Sequence, residues 1–415
     1  GNTRVIERRR RTPDAVATPV NVNVRDFFGA GTPSVGANVY FFSLDGTLLA
    51  TEQTDGNGNA SALVPPGTGV AVLRQQLGTA YASVILGAEP GDNLQFGRSR
   101  STFGTAGGMT FSSGFTTPVN GYQLLHTSCG VQSSSTTGIW TNIQLPMSCS
   151  PTFTAFAVAY DGNDAATRYT AQSTVTFANG GSVVLAGNNF PADLLLTYQN
   201  VPADLPPGNV QYLAYDGDGN QIWAESVPLV QQGNDWVTLW PVVPLGNPIL
   251  LANQWYAPTS GSTHWQARKF PQVTNITQDY SERHLRNLID LYFDGQQGSL
   301  SWDQSGDDDA VAMAVDVAGF NPLTKMSVYM TVYAPAFEGS GFSFPSLPPV
   351  FDELLQGFRN SGSASLAYYG FDLPYDDVRE FIDTGHSPYN PNVEAFLIEG
   401  PAEWMSRVSV FGGGR

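Results

Sequence analysis

Short runs of β-forming residues, separated by turn sequences, recur along most of this chain. VNVNV at residues 20–24 alternates apolar and polar residues with the period of two that a half-buried strand requires. Asp45-Gly46 and the DGNG sequence at residues 55–58 separate the next β-rich runs, and such pairs are typical of hairpin turns. The 44 glycines and 28 prolines among 415 residues fit many short strands joined by turns. The pattern predicts a mainly β protein of tandem β-sandwiches with a few short helices in the C-terminal third.

Charged residues are scarce and mostly acidic. They make up 13% of the chain, and 36 acids against 19 Lys and Arg give a formal net charge of −17. A nucleic-acid binder with a basic groove is therefore excluded, because nothing sustained would neutralise phosphates. No run of 18 apolar residues occurs, so we also expect no transmembrane span.

The only basic run lies in an N-terminal arm, residues 1–19. It consists of Arg8, Arg9, Arg10 and Arg11. The arm is either a solvated tether or a partner-binding segment that docks on an acidic surface. That surface would belong to anionic headgroups or to another copy of this protein. The arm could also add a strand to a sheet edge.

Two cysteines, Cys129 and Cys149, are separated by 20 residues in a Ser/Thr-rich stretch. Neither zinc-ligand nor CxxC redox spacing is present, so we predict a structural disulfide, with two free thiols as the alternative. A disulfide indicates an oxidising compartment. The chain begins at Gly1 without Met, and we expect an exported bacterial protein, extracellular or on the cell surface. A lipid anchor on a preceding cysteine is one hypothesis.

Residues 20–99 carry a family resemblance. A strand is followed by spaced Asp, Gly and Pro residues, a Thr-Asp-x-x-Gly-x-Ala turn and a Pro-Pro-Gly turn. The residues are Asp26, Gly29, Pro33, Gly36, Ala37, Asn38, Val39, Thr54, Asp55, Gly58, Ala60, Pro65, Pro66 and Gly67. This order resembles the bacterial carboxypeptidase regulatory-like domain, a small transthyretin-like β-sandwich. The resemblance implies an accessory module without catalytic residues. The Glu89–Asp92 turn departs from it and suggests an added hairpin.

The remainder divides into 100–258, which contains the cysteines, and a β-rich domain at 259–415 with short helices. An Ala-Tyr-Asp-Gly sequence at 159–162 recurs at 214–217, followed each time by a strand, a Gly turn and another strand. This echo predicts two related β units. Residues 278–293 have helical spacing with Asp279 and Glu282 placed as a capping box, although a strand stays possible. Further helices are expected at the end of 342–358 and after Pro374.

Three Asp/Asn turns suggest calcium, because alternating oxygen ligands in a Gly-hinged loop begin a calcium cage. Asp216, Asp218 and Asn220 form the main candidate, and the turns at 55–59 and 161–164 are similar. Hairpin turns favoured by Asp-Gly are the alternative. The densest acidic patch, Asp307 to Asp309 with Asp303 upstream, is interpreted as a solvated loop.

Catalytic motifs are absent from the sequence: there is no Gly-x-Ser-x-Gly, His-Glu-x-x-His or Ser-x-x-Lys. The histidines at 126, 264, 284 and 386 are interpreted as turn or surface residues. Aromatic residues are dense between 223 and 265, where they form either a core or a stacking surface for sugars. They are Trp223, Trp236, Trp240, Trp255, Tyr256 and Trp265.

Together these features predict an exported, non-enzymatic structural, adhesive or binding component that associates with itself or with other proteins. No cofactor is expected unless calcium binds, and a glycan is a possible ligand. The alternative is a secreted carbohydrate-active hydrolase, or a sugar-binding protein, with an accessory sandwich. The hydrolase would need two carboxylates about 5–10 Å apart beside the aromatic residues.

Overall fold

The computed structural model describes most of the chain from residue 18 onward. The described residues are 18–26, 31–76, 78–97, 104–203, 208–216, 218–245, 249–256, 262–271, 275–283, 285, 287–305, 310–336, 341–343, 347–360, 362–382, 396–398 and 400–413. Within them the protein is mainly β, with several sheets and two short α-helices in the last third, so the predicted fold class is confirmed. The Arg8–Arg11 run lies outside the described residues. No described helix is long and apolar enough to cross a bilayer.

Seven strands in the first hundred residues form a sandwich. They are β1 (Val20–Val24), β2 (Asn38–Phe42), β3 (Leu48–Gln53), β4 (Asn59–Ala62), β5 (Thr68–Gln76), β6 (Thr79–Ala88) and β7 (Asn93–Phe96). One layer has the order β4-β1-β7, and the other is β6-β5-β2-β3. The alternation of VNVNV places its three valines in the core between these layers, and its two asparagines face outward.

Eight strands of the middle region form a second sandwich around the cysteines. They are β8 (Thr105–Ser113), β9 (Tyr122–Thr127), β10 (Gln132–Ser135), β11 (Ile139–Pro146), β12 (Thr152–Tyr160), β13 (Ala166–Tyr169), β14 (Ser173–Thr176) and β15 (Ser182–Leu185). The sheet β10-β9-β12-β13, with β14 on β12, packs on β11-β8-β15. Alternate residues of β12 enter two cores: Phe153 and Ala155 face this sandwich, whereas Phe156 and Val158 face the next one.

The following strands and helices complete the fold. They are β16 (Ala192–Gln199), β17 (Val210–Tyr215), β18 (Gln221–Val227), β19 (Val230–Gln232), β20 (Asp235–Val242), β21 (Ile249–Tyr256), β22 (Thr263–Phe270), β23 (Ile276–Asp279), β24 (Asn287–Asp294), β25 (Ser299–Ser305), β26 (Ala310–Asn321), β27 (Met326–Pro335), β28 (Gly341–Ser343), α1 (Asp352–Asn360), β29 (Gly362–Phe371), α2 (Tyr375–Val378) and β30 (Trp404–Gly413). Short 3-10 turns cover Met147–Cys149, Tyr280–Arg283, Pro349–Phe351 and Arg379–Phe381.

A twelve-stranded sheet connects these parts in the order β18-β17-β21-β22-β30-β29-β26-β27-β6-β5-β2-β3. One face is covered by β4-β1-β7 and α2, and the opposite face is covered by α1 and the sheet β24-β25-β28. The sheet β19-β20-β16-β23 packs on the β18 end. The predicted boundaries at 99 and 258 fall between strands, yet β6 pairs with β27 and β21 pairs with β22 across them. The division into three domains stays a prediction.

The helix predicted within 278–293 is wrong, because residues 287–294 form strand β24. The strand contains a register shift between Ile289 and Tyr292, where Asp290 takes a φ of 50°. This bulge adds one residue, so Leu288 and Leu291 both reach the core although they are three apart. The spacing therefore imitates a helix. Asp279 instead caps the 3-10 turn by accepting the N–H of Ser281 at 2.9 Å. The helices predicted before residue 360 and after Pro374 are confirmed as α1 and α2.

A buried ion pair joins the C-terminal third to the first sandwich. Arg379, directly after α2, donates from Nε and Nη2 to Asp92 of the β6–β7 turn, at 2.5 and 2.8 Å. Arg379 is only 3% exposed, and its Nη1 donates to the exposed Asp376. Tyr375 donates to the carbonyl of Leu86 at 2.8 Å beside this pair. The turn between β6 and β7 is thus fastened to a segment nearly 290 residues later.

We expect Arg379→Met to destabilise the protein by about 3–5 kcal/mol, because it leaves the carboxylate of Asp92 buried without its cation. Urea unfolding followed by circular dichroism measures this loss. Lys269→Met is the control, because it breaks the 3.3 Å pair with Glu403, whose side chain is 62% exposed, and should cost about 0–1 kcal/mol. Equal losses for the two variants would contradict the structural role of the buried pair.

Candidate functional site

The two cysteines form the predicted disulfide. Cys129 lies in the turn between β9 and β10, and Cys149 ends the 3-10 turn before β12. Cys149 is fully buried against Phe153 and Leu145 in the core of the second sandwich. The bond therefore fastens the β9–β10 turn to the start of β12.

Replacing both cysteines by serine should lower the free energy of unfolding by about 3 kcal/mol, because a loop of this length then regains its freedom in the unfolded chain. Unfolding in urea, with and without reductant, measures the effect. Reductant should destabilise the native protein and leave the double-serine variant unchanged. A native protein indifferent to reductant under unfolding conditions would refute this account.

The turn that carries Asp216 has two counterparts with the same hydrogen bonds. Oδ1 of Asp216 accepts the backbone N–H of Asp218 at 3.0 Å and of Asn220 at 2.9 Å. Asp55 and Asp161 each accept two N–H groups in the same way. The fourth residue of each turn has a left-handed φ: Gly58, Asp164 and Gly219. The hairpin interpretation accounts for these bonds, and the echo between 159–162 and 214–217 is a shared strand–turn–strand unit.

A polar cleft of about 500 Å³ brings the disulfide and the Asp216 turn together. One wall is the β9–β10 turn, Ser128 to Gly130, with Ser148 of the 3-10 turn, the start of β12 and Thr174 of β14. The other wall is the β17–β18 turn, residues 216 and 218–221. Hydroxyl groups dominate the first wall, and they belong to Ser128, Ser148, Thr152, Thr154 and Thr174.

Hydrogen bonds shape the hydroxyl wall of this cleft. Ser128 Oγ accepts the N–H of Thr154 at 2.9 Å, and the N–H of Ser128 donates to the carbonyl of Thr154 at the same distance. The hydroxyl of Ser148 is buried without a hydrogen-bond partner. Opposite it, the side chain of Asp218 is exposed. The cleft thus offers hydroxyl donors on one side and carboxylate acceptors on the other, which suits a ligand rich in hydroxyl groups.

Calcium binding at Asp216, Asp218 and Asn220 stays a prediction. The Oδ1 of Asp216 already accepts two backbone N–H groups, and its Oδ2 lies 3.3 Å from the side-chain amide nitrogen of Asn220. Among the described residues, no group of three His, Cys, Asp or Glu side chains is placed to hold a metal ion. Asp303 is exposed on β25, and residues 307–309 lie outside the described part of the chain.

A second, shallower groove of about 460 Å³ covers the outer face of β4-β1-β7. Its outward side chains are carboxamides and one serine, in two rows across the strands. Several bond to each other, with Asn21 donating to Asn93 at 3.0 Å and Asn23 to Asn59 at 2.7 Å. The rows are Ser61-Asn21-Asn93 and Asn59-Asn23-Gln95. The outward positions of these three strands are thus polar without being charged, and Asp55 of the turn before β4 also lines the groove.

The described tryptophans contribute to cores rather than to an exposed row. Trp223 is fully buried and donates from Nε1 to the hydroxyl of Tyr160 at 3.0 Å. Trp236 and Trp240 share one face of β20 and pack partly on the same core, and Trp265 packs on the first sandwich core. The side chains at 255 and 256 lie outside the description.

Glu225 is an ionisable group that the sequence reasoning missed. It lies on β18 between the inward positions Trp223 and Val227, where a period-two strand should be apolar. Its Oε1 accepts from Trp240 Nε1 at 3.0 Å, and its Oε2 is buried without a partner. Burial raises the pKa of Glu225 to about 7, and the negative charge of Asp164 adds to the shift. A charged residue at an inward strand position is the signal that could have found it.

Glu225 and Asp164 interact electrostatically at a seam where three sheets join: the twelve-stranded sheet, β10-β9-β12-β13 and β19-β20-β16-β23. Asp164, which ends the echoing turn, accepts from the hydroxyl of Tyr122 at 3.0 Å, and Tyr122 stacks on Tyr160 at 5.2 Å. An acid of raised pKa near a second carboxyl group and aromatic rings has the ingredients of a glycosidase pair. The free oxygen of Glu225 is inaccessible in this arrangement, so its contact with a substrate would require the seam to open.

Glu225→Gln should become relatively more stable than the native protein as pH rises. The pKa of Glu225 in the folded protein exceeds the ordinary glutamate value of about 4.5, so the native state holds a proton that the unfolded chain releases between about pH 4.5 and 7. Native stability therefore falls through that window, by about 3 kcal/mol in total, and the glutamine variant avoids the loss. Urea unfolding at pH 4.5 and 8 tests this. Asp164→Asn should recover a smaller part of the lost stability. Parallel profiles of unfolding free energy against pH for all three proteins would refute this account.

The predicted surface position of two histidines is wrong. His126 on β9 and His264 on β22 are both buried in sheets. His126 stacks on Phe156 with ring centres 5.1 Å apart, and burial lowers its pKa to about 3. It is therefore a neutral core residue. The other two histidines lie outside the described residues.

Comparisons with known proteins do not place the chain in a family. No family model matches it, and no curated protein matches it. A solved structure described as "The Bacillus anthracis TIE protein" aligns at 13% identity and a TM-score of 0.16, over 63% of this chain and 50% of that one. The chain thus spans half the length of that protein, and a TM-score this low carries no argument about fold or function.

Proposed function

We propose that this chain is an exported, non-enzymatic component of the cell envelope or extracellular space, with a structural, adhesive or binding role. The observation that carries the proposal is the polar cleft closed by the Cys129–Cys149 bond. Structural disulfides such as this one form and persist in oxidising compartments. The cleft offers hydroxyl groups on one wall and the carboxylates of Asp216 and Asp218 on the other.

The fold supports a load-bearing or display role as well. Strands of the first sandwich and the last strand, β30, belong to one sheet of twelve strands, so continuous backbone pairing rather than a flexible linker joins these parts of the protein. The two-layered arrangement of β1–β7 supports the proposal that residues 20–99 are a transthyretin-like accessory module. Self-association and a surface location, with or without a lipid anchor, belong to the same proposal.

The ligand class we propose for the cleft is a neutral, polyhydroxylated molecule, meaning a glycan. Sugar hydroxyls both donate and accept, so they complement the serine and threonine hydroxyls on one wall and Asp218 on the other. A buried hydroxyl without a partner, Ser148, gains from a ligand that reaches it.

Asp218→Ala should weaken glycan binding by about tenfold to a hundredfold, because a hydrogen bond to a charged acceptor is worth roughly 1.5–3 kcal/mol. Titration calorimetry with neutral oligosaccharides of several linkages measures this. Asn163→Ala is the matched control, since it changes the equivalent position of the Asp161 turn, which lies outside the cleft. Absence of binding to every oligosaccharide would reject the glycan, and equal effects of the two substitutions would reject the cleft.

The cellular part of the proposal has its own test. An antibody against the folded protein should label intact cells of the source organism, and added protease should remove the label. A signal that appears only after the cells are lysed would overturn the exported role, whatever the cleft binds.

A further inference from the structure

Strand β3 is the last strand of the twelve-stranded sheet, and among the described residues it pairs with β2 alone. Its other edge therefore presents backbone N–H and C=O groups to the outside. Natural edge strands are usually protected by lysine, proline or a covering segment. The sequence of β3, LLATEQ, contains neither lysine nor proline.

Exposed leucines surround this edge. Leu48 and Leu49 at the start of β3 are 47% and 40% exposed. Leu44 in the preceding turn and Leu63 directly after β4, which contacts β3, are more exposed still. Apolar side chains beside an unpaired strand edge are a recognition surface for another strand.

The same edge is acidic. Glu52 lies on β3, and Asp45 and Asp55 lie in the turns that precede and follow it. The hydroxyl of Ser43 and the backbone N–H of Thr47 lower the pKa of Asp45 to about 2. The backbone N–H groups of Asn59 and Asn57 lower the pKa of Asp55. Both carboxylates therefore remain charged at any physiological pH.

The charge that complements this edge occurs once in the chain. Residues 1–19 hold five arginines and two acids, a net +3, which leaves −20 on the remaining residues. The stretch RVIERRRR at 4–11 contains no proline, so it can hydrogen-bond along its length, and it is long enough to pair with the six residues of β3. Extended, it would place arginines on both faces and two apolar residues, Val5 and Ile6, beside the leucines.

The arm joins the body at β1, the middle strand of the sheet β4-β1-β7, where Val20 pairs with Ala62 of β4. Gly91 in the β6–β7 turn donates its N–H to the carbonyl of Pro19 at 3.1 Å, which places the start of β1 beside that turn. In the sheet β6-β5-β2-β3 the strands β6 and β3 lie at opposite sides, about 14 Å apart at the usual strand spacing. Residues 12–19 separate the stretch 4–11 from β1, a tether long enough for the arm to reach the β3 edge of a second copy.

Building on the self-associating role proposed above, we infer that the β3 edge receives residues 4–11 of a second copy as an added strand. Leu49 and its neighbours contact the apolar residues of the arm, and the acids around β3 pair with its arginines. Reciprocal exchange gives a dimer, and one-way exchange gives an open chain of copies.

Light scattering on size-exclusion fractions tests the association across a range of concentrations and salt. Glu52→Lys, Leu49→Lys and a chain lacking residues 1–11 should each weaken association about tenfold or more, and high salt should weaken it in the full chain. Glu52→Lys combined with Arg8→Glu and Arg10→Glu should restore it. Leu239→Lys, at an exposed leucine of β20, is the matched control and should change nothing.

Engineered cysteines identify the occupant, because both native cysteines are held in the disulfide. Chains with Arg9→Cys and chains with Thr51→Cys should form a mixed disulfide dimer under mild oxidation. A disulfide within one chain of the double variant at high dilution would show that each arm covers its own edge. Dimers of Thr51→Cys alone would show that two β3 edges pair. Either result overturns the inference.

The outcomes also separate this inference from the proposed function. Association that survives every β3 and arm variant would overturn the docking site and leave the self-associating role standing. Protein that stays monomeric at every concentration would overturn both the docking site and self-association, while glycan binding and surface labelling would still be judged by their own experiments.

Discussion

Backbone hydrogen bonding across one twelve-stranded sheet is the constraint on which the rest of the structure depends. Strands from the first hundred residues and from the last hundred are neighbours in it, through the parallel pair β6–β27. The central strand β26 buries alternate residues on opposite faces, Ala312 and Ala314 toward one layer and Met313 and Val315 toward the other. Covering layers on both faces then follow from the need to bury these side chains. The Asp92–Arg379 pair fastens the segment after α2 to the β6–β7 turn.

The seam around Glu225 illustrates how three sheets share a polar contact that burial makes sensitive to pH. Trp240 satisfies one oxygen, Asp164 contributes a neighbouring charge, and the second oxygen remains buried without a partner. Ionisation of this buried carboxyl group is unfavourable, so the contacts of the seam are most stable under mildly acidic conditions, where Glu225 is neutral. Asp316 on β26 is a second case: burial raises its pKa to about 7, and the hydroxyl of Thr331 donates to it.

Local features of the fold were predictable from sequence, and pairing between distant segments was not. The valines of VNVNV, the Asp-Gly turns and the disulfide follow rules of short range, and Pro374 marks the start of α2. The helix predicted within 278–293 was wrong because the bulge at Asp290 inserts one residue, which gives the strand the apolar spacing of a helix. The candidate cleft brings Cys129 next to the Asp216 turn, nearly 90 residues later in the chain. Short-range sequence patterns do not predict contacts between segments that far apart. Glu225 was visible only as a charge at an inward position.

The parallel pairing of β6 with β27 has a consequence for how the chain reaches its native state. Thr79 pairs with Ser327, 248 residues later, so the first sandwich keeps an open, apolar strand edge until most of the polypeptide has been made. Contacts of such long range slow folding and expose intermediates to aggregation. A nascent chain of this design gains from being kept unfolded until its last strands are available, and delivery in an unfolded form to the compartment where the disulfide closes would satisfy that need.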